Sequence, residues 1–348
     1  MRTRAHNNRG VGRQYTGTSG KIDNCQIRVF AAYATSRGRA LMDRELYLPK
    51  AWTSDRERCR AAKIPDERQF ATKGELAKAI VTRSLAAGLP AHWVTADEAY
   101  GQEWKFRRLL EELGVGYVMA VPKSQQVKSL AGFWRIDELI SQAPQEAWQR
   151  LSCGDGAKGP RVYDWASAKL SAISSFDGGA PTHHRWVLAR RNLTRPNEIA
   201  YYFAYAPVAR TVADLARVAG MRWAIEECFQ AAKNECGLDE YEVRRYVGWY
   251  RHITLAMLVA HAFLAGLAAD EAVEGLQTTP PASSPSPWQR SAGSWNICCP
   301  SQNPARSSRS RTELVPLATT STSHRLPLPL PENNRFRTRS AAGVLGPV

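Results

Sequence analysis

No apolar run in this sequence approaches the ~20 residues needed to cross a bilayer, and the N-terminal stretch MRTRAHNNRG has no apolar block of the kind a signal peptide carries. Both absences argue for a soluble protein with no membrane partner that stays in the cytoplasm. The seven cysteines, at positions 25, 59, 153, 228, 236, 298 and 299, include no C-x-x-C pair and no interval that frames a zinc site. An odd count without a framework suits reduced thiols. No Ser or Cys has a His at motif spacing, so covalent nucleophilic catalysis has no support. Acids are in deficit: 32 Asp and Glu stand against 47 Lys and Arg, a formal charge of +15. Such a surface suits a protein that settles on a polyanion, and nucleic acid is the leading partner; the plainer explanation is arginine-rich usage alone.

From residue 271 onward lysine and aspartate are missing altogether, while 11 of the 20 prolines gather there among Ser/Thr clusters. Too little apolar surface remains to offset the entropy of ordering, and 271–348 is expected to be a disordered tail. It carries eight arginines against four glutamates, so +11 of the charge belongs to the first 270 residues.

Those residues read as an α/β chain. NCQIRVFAAYATS and RALMDRELYLP predict two strands of a hairpin turning at Arg37 and Gly38. ATKGELAKAIVTRSLAAG predicts a helix with a stripe of Leu76, Ile80 and Leu85, ended by Gly88. AHWVTADEAYG predicts a strand ending in acids, EWKFRRLLEELG a helix closed by Gly114, and GYVMAVP a buried strand. Parallel pairs are expected in such a rhythm, with chemistry at the carboxyl ends of strands, where Asp97 lies. Residues 124–206 predict strands and turns, and from Thr211 the pattern is helical.

On an ideal helix at about 100° per residue from Arg222, Glu226 falls at about 40° and Lys233 at about 20°. Cation, acid and cation thus share one stripe, flanked by apolar Ile225, Phe229 and Ala232 at roughly 280° to 340°. The commonest reason for such spacing is a solvated face with i,i+4 pairing. Against that stands Asp97, 129 residues upstream. If the fold joins Asp97 and Glu226, their hard oxygens would suit Mg²⁺ or Mn²⁺ in phosphoryl transfer, with Lys and Arg on nearby phosphates.

These stretches resemble DDE-type insertion-sequence transposases, in the group whose third-acid motif is Tyr-x-x-Arg-x-x-x-Glu-x-x-x-x-x-x-Lys. Arg222, Glu226 and Lys233 match its last three positions; WVTADEAYG is similar to the second-acid strand, with Asp97 as the acid; RQYTGTSGKIDNCQIRVFAAYA and RELYLPKAWTSDRERCRAAKIP resemble early strands of the family. The resemblance spans about residues 11–269 and implies an α/β fold with an RNase H-like mixed sheet flanked by helices, and a β-rich insertion between the second and third acids. It divides the chain into a partial core at 1–123 lacking the first catalytic strand, an insertion at 124–206, a helical end of the core at 207–270 and the tail at 271–348. It also implies DNA cleavage and strand transfer with Mg²⁺ or Mn²⁺ held by Asp97 and Glu226, Arg222 and Lys233 on the DNA backbone, element ends and target DNA as partners, and a bacterial cytoplasm with nucleoid association. A homodimer is compatible with it.

Departures from the family pattern are as informative. The motif tyrosine is Ala219. No acid precedes Asp23, so the first Asp of the triad and the DNA-recognition domain are expected to be absent; Asp23 itself reads as a turn or strand-initial residue. A family tail peptide read one nucleotide later yields SSPSPWQRSAGSW, residues 283–295, which implies a frameshift. The expectation is an inactive or impaired transposase; the alternatives are a catalytically dead DNA-binding or transposition-inhibiting protein, and a product that never folds because removing a central strand exposes its neighbours as edges. Glu98 and Glu227 adjoin the acids but point away from them. His183 and His184 read as a solvated loop, and His252 and His261 sit about half a circle apart on their helix. Arg190 and Arg191 read equally as DNA contacts or a hairpin end, and Trp249 and Tyr250 as core anchors.

Overall fold

The structure, a computed structural model, describes residues 10–16, 21–35, 38–129, 132–156, 159–170, 180–241, 245–278 and 293–298. An antiparallel hairpin of β1 (Gly12–Thr16) and β2 (Lys21–Cys25) stands apart from the main sheet. Asp23 lies on β2, exposed, with its carboxylate 3.8 Å from the Lys21 ammonium. β3 (Arg28–Thr35) and β4 (Gly38–Leu46) pair antiparallel, as their sequence predicts. Successive residues of a strand face opposite sides. In β3, Val29 and Ala31 therefore enter one core while Phe30 and Ala32 enter another, and helices cover both faces.

The next stretch departs from its family resemblance to strands. Pro49 at the N-cap opens α1 (Lys50–Thr53), and Asp55 caps α2 (Arg56–Ala61) by accepting the Arg58 N–H at 2.9 Å. Two caps so close together commit the segment to short helical turns. α3 (Lys73–Ala86) begins with a Thr72–Glu75 capping box and ends ahead of Gly88, whose φ of +81° is the left-handed conformation that the sequence predicts there. Leu76, Ala77, Ile80 and Val81 bury its inner face.

β5 (Ala91–Ala96), α4 (Glu98–Gly101), α5 (Trp104–Glu112) and β6 (Gly116–Val121) follow, with β5 and β6 parallel and Ala96 level with Met119. A small hairpin of β7 (Gln126–Ser129) and β8 (Gly132–Arg135) leads through α6 (Ile136–Ser141) to four long strands: β9 (Trp148–Gly156), β10 (Gly159–Leu170), β11 (His183–Arg191) and β12 (Ile199–Pro207). The region is β-rich, as expected between the two acids. β12 pairs antiparallel with β6, so these strands extend the central sheet instead of folding apart from it. His183 and His184 begin β11, where the sequence suggested a loop, and the His183 ring stacks on Tyr205 with centroids 4.7 Å apart.

α7 (Val212–Gly220), α8 (Trp223–Asn234) and α9 (Tyr246–Thr278) complete the helices, and β13 (Gly293–Cys298) adds a last strand. The main sheet of the described residues runs β4-β3-β13-β5-β6-β12-β11-β10-β9, parallel only where β5 meets β13 and β6. It is a mixed α/β arrangement of the RNase H-like kind. Two pieces of the segment expected to lack order thus have regular structure: α9 runs on to Thr278, and β13 lies inside the sheet. The rest of that tail lies outside the described residues.

An ion-pair cluster clamps α3 and α9 to β4. Arg83 Nε donates to Asp43 at 2.6 Å and its Nη1 to Glu45 at 2.7 Å. Glu45 also accepts from Arg68 at 2.8 Å and from the Tyr250 hydroxyl at 3.0 Å. Burial, with the neighbouring Tyr246 and the Glu45 carboxylate, keeps the Tyr250 phenol neutral, its pKa pushed far up. Trp249, 1% exposed, anchors α9 beside it, in line with the sequence.

Candidate active site

Asp97 follows the last residue of β5, and its side chain caps α4 by accepting the Ala99 N–H at 3.0 Å. α4 is pinned by a close approach: a Cβ on Gly101 would stand 1.8 Å from the Ala120 carbonyl oxygen of β6, so only glycine lets the helix lie there. Position and cap together hold the carboxylate at the carboxyl end of the parallel pair. Burial raises its pKa above the usual carboxylate range, while the Arg222 guanidinium, the Ala99 amide and Lys73 pull the other way without cancelling the loss of water.

Arg222 arrives from the far end of the sequence. Thr211 and Asp214 form a capping box at the start of α7. That helix ends at Gly220, where a Cβ would meet the Cys153 carbonyl oxygen of β9 at 1.9 Å. The backbone contact fixes where the chain turns into α8, with Arg222 at the N-cap in right-handed helical geometry. From there Arg222 Nη2 donates to Glu226 at 2.9 Å and its charge also acts on Asp97 and on the buried Tyr202 phenol. The apolar flank expected beside the charged stripe is real: Ile225, Phe229 and Ala232 are buried, and Phe229 meets Phe30 edge-on with ring centroids 5.1 Å apart. Lys233 lies half-buried in the last turn of α8.

Arg222 thus stands in the field of Asp97 and in hydrogen-bond contact with Glu226, two acids separated by 129 positions. Glu227, one residue on, is turned away into an ion pair with Arg39 at 2.9 Å. Glu98 is largely exposed, and partial loss of water at its carboxyl, together with the neighbouring Asp97 charge, raises its pKa. Arg190 and Arg191 lie over the rings of Tyr163 and Trp148, with guanidinium carbons at 4.6 and 4.1 Å from the ring centroids. His252 approaches the Gly237 carbonyl at 3.0 Å, while His261 is exposed.

Two neighbours of the acids escaped the sequence reading. Lys73, the first residue of α3, acts on Asp97, and Tyr202 of β12 feels Arg222. Neither sits in a motif, and only a signal for which strands pair could have found them. Among the described residues no group of three or more His, Cys, Asp or Glu is placed to hold a metal ion. Asp97 and Glu226 are hard oxygen donors of the type that Mg²⁺ and Mn²⁺ take.

Residues 2–132 match the family described as DDE superfamily endonuclease. The chain is also 25% identical over 240 residues to a probable transposase for insertion sequence element IS701 from Microchaete diplosiphon, an alignment covering 68% of this chain and 56% of that protein. The chain therefore spans only a little over half the length of that curated relative. Both matches are to DDE-type and transposase proteins, and the residues singled out here lie at the end of β5, for Asp97, and on α8, for Glu226 and Lys233.

Proposed function

We propose that this chain acts on the DNA ends of an insertion sequence by metal-dependent phosphoryl transfer, with Asp97 and Glu226 as ligands of Mg²⁺ or Mn²⁺. The observation that carries this reading is the electrostatic link from Arg222 to both acids. A bound divalent cation would supply Lewis acidity at the scissile phosphate and favour the ionised form of Asp97. Arg222 orients Glu226 and neutralises charge between the two carboxylates. Lys233, on the same stripe of α8, reaches toward a DNA backbone phosphate as a point charge. Target DNA and a second copy of the chain are the partners this reading calls for, in a nucleoid-associated setting.

Asp23, on the separate hairpin beside Lys21, is not one of these ligands. A nicking assay on terminal-repeat DNA with Mn²⁺ tests this: Mn²⁺-dependent cleavage should vanish in Asp97→Asn and Glu226→Gln. Robust nicking that survives both changes would sink the assignment. The alternative is a DNA-binding protein without catalysis, which the formal charge of +15 also suits. Salt-dependent DNA binding that is unchanged in both variants would select it.

A further inference from the structure

A cavity of about 420 Å³ opens at the amino ends of β5 and β6, the end of this parallel pair opposite Asp97. At ~3.3 Å per residue, the length of β5 sets the two places about 20 Å apart. The volume falls in the roughly 300–1,000 Å³ range of small-molecule sites. Much of the wall is apolar, with Leu85, Trp93, Val115 and Pro207 in it. Gly116 makes room for the Trp93 indole, since a Cβ there would stand 2.8 Å from the ring. Set into this wall are His92 from β5, His183 from β11 and Arg210 from the turn after β12, and none of the described residues lining the cavity is an acid.

The positive charge of this wall is left uncancelled. Arg185, Arg195 and Arg217 are held by Glu111, Glu198 and Asp214, whereas Arg210 enters no ion pair among the described residues. Its turn is closed by its own N–H, which donates to the Pro207 carbonyl at 2.9 Å. His183 is held in place from behind: its ring stacks on Tyr205 with centroids 4.7 Å apart, Tyr205 stacks on Tyr117 at 5.9 Å, and the Tyr117 hydroxyl donates to Glu111 at 2.8 Å. Glu111 is thus taken up by Tyr117 and Arg185. The Thr182 hydroxyl lies 3.0 Å from His183 Nδ1; with Nδ1 accepting, Nε2 carries the ring proton and is a donor. We infer that this cavity binds a phosphate borne on a planar ring, the chemistry of a nucleoside monophosphate, with Arg210, His92 and His183 on the phosphate oxygens and the ring against Trp93 and Pro207. A guanidinium fork and two imidazoles, supplied by three elements, match the three outer oxygens of a phosphate better than the two of a carboxylate. A free nucleotide and the 5′-phosphorylated end of a DNA strand share this chemistry.

Isothermal titration of the full chain in EDTA, which keeps divalent ions from Asp97 and Glu226, tests this site apart from the proposed function. Adenosine monophosphate should bind roughly tenfold or more tighter than inorganic phosphate or adenosine, because each of those makes only part of the contacts. Arg210→Ala should weaken that binding roughly tenfold or more and His92→Ala roughly threefold, while Arg195→Ala, which removes an arginine already paired with Glu198, should leave it unchanged. His92 is exposed and Arg210 half-buried, so neither change opens the core. A 5′-phosphorylated DNA tetranucleotide separates the two sources: binding at least as tight as the mononucleotide assigns the site to a strand end, and binding roughly tenfold weaker assigns it to the free nucleotide. No binding of adenosine monophosphate, equal binding of inorganic phosphate, or binding indifferent to Arg210→Ala overturns the inference and leaves the nicking assay untouched.

Discussion

Two charge clusters in this molecule use similar residues to opposite ends. Around Glu45, Arg83, Arg68 and Tyr250 converge on one buried carboxylate and its neighbour Asp43, and the contacts tie α3, α9 and the loop before α3 to β4. Around Asp97, two acids share one arginine, and Asp97 keeps a raised pKa because its surroundings compensate for burial only in part. The first cluster spends its carboxylates on stability, and the second, under the proposed function, leaves carboxylates for a further cation.

The comparison can be broken by mutation. Glu45→Ala should have the largest effect, a loss of about 2–4 kcal/mol in urea unfolding, since it leaves Arg68, Arg83 and the Tyr250 hydroxyl facing a buried void. A loss below about 1 kcal/mol would mean that the clamp is not structural. Asp97→Asn should act the other way. A carboxyl with a raised folded pKa holds its proton longer in the folded than in the unfolded chain, so it lowers stability as pH rises from its ordinary range, near 4, through the raised value. Asparagine keeps the N-cap acceptor but never ionises. Its melting temperature at pH 7 should therefore exceed that of the parent by roughly 2 °C, and the gap should close at pH 3. A variant that melts lower at pH 7 would place Asp97 with the stabilising cluster. Glu226→Ala should change stability least, by about 0.5 kcal/mol or less, because its pair with Arg222 is an i,i+4 contact open to solvent. Divalent-ion stabilisation gives the sharpest contrast: a Mn²⁺-dependent rise in melting temperature should be lost in Asp97→Asn and Glu226→Ala and kept in Glu45→Gln.

Much of this second cluster is legible in local patterns. Helical periodicity puts Arg222, Glu226 and Lys233 on one stripe and Ile225, Phe229 and Ala232 beside it, and the burial of those three follows. A strand ending in an acid places Asp97, and Gly88 and Gly114 mark helix ends, both with positive φ. The first cluster is illegible for the same reason reversed. Asp43 and Glu45 sit on one strand, with Arg68, Arg83 and Tyr250 scattered downstream and no periodic relation among them. Lys73 and Tyr202 were missed for that reason too. The long strands after β6 were expected, but their pairing onto β6 depends on a register that neighbouring residues do not encode.

By itself the sequence determined the types of most elements, the helix caps and the charged stripe of α8, because each rests on residues within a few positions of one another. Only the tertiary structure decided which acids Arg68 and Arg83 meet, that β9 to β12 extend the central sheet, and that β13 fills its middle. The physical reason is that strand edges and buried charges are satisfied by whatever partner the closed fold brings near, and a low-propensity segment such as GSWNIC can be held in a sheet when two buried edges lie on either side of it.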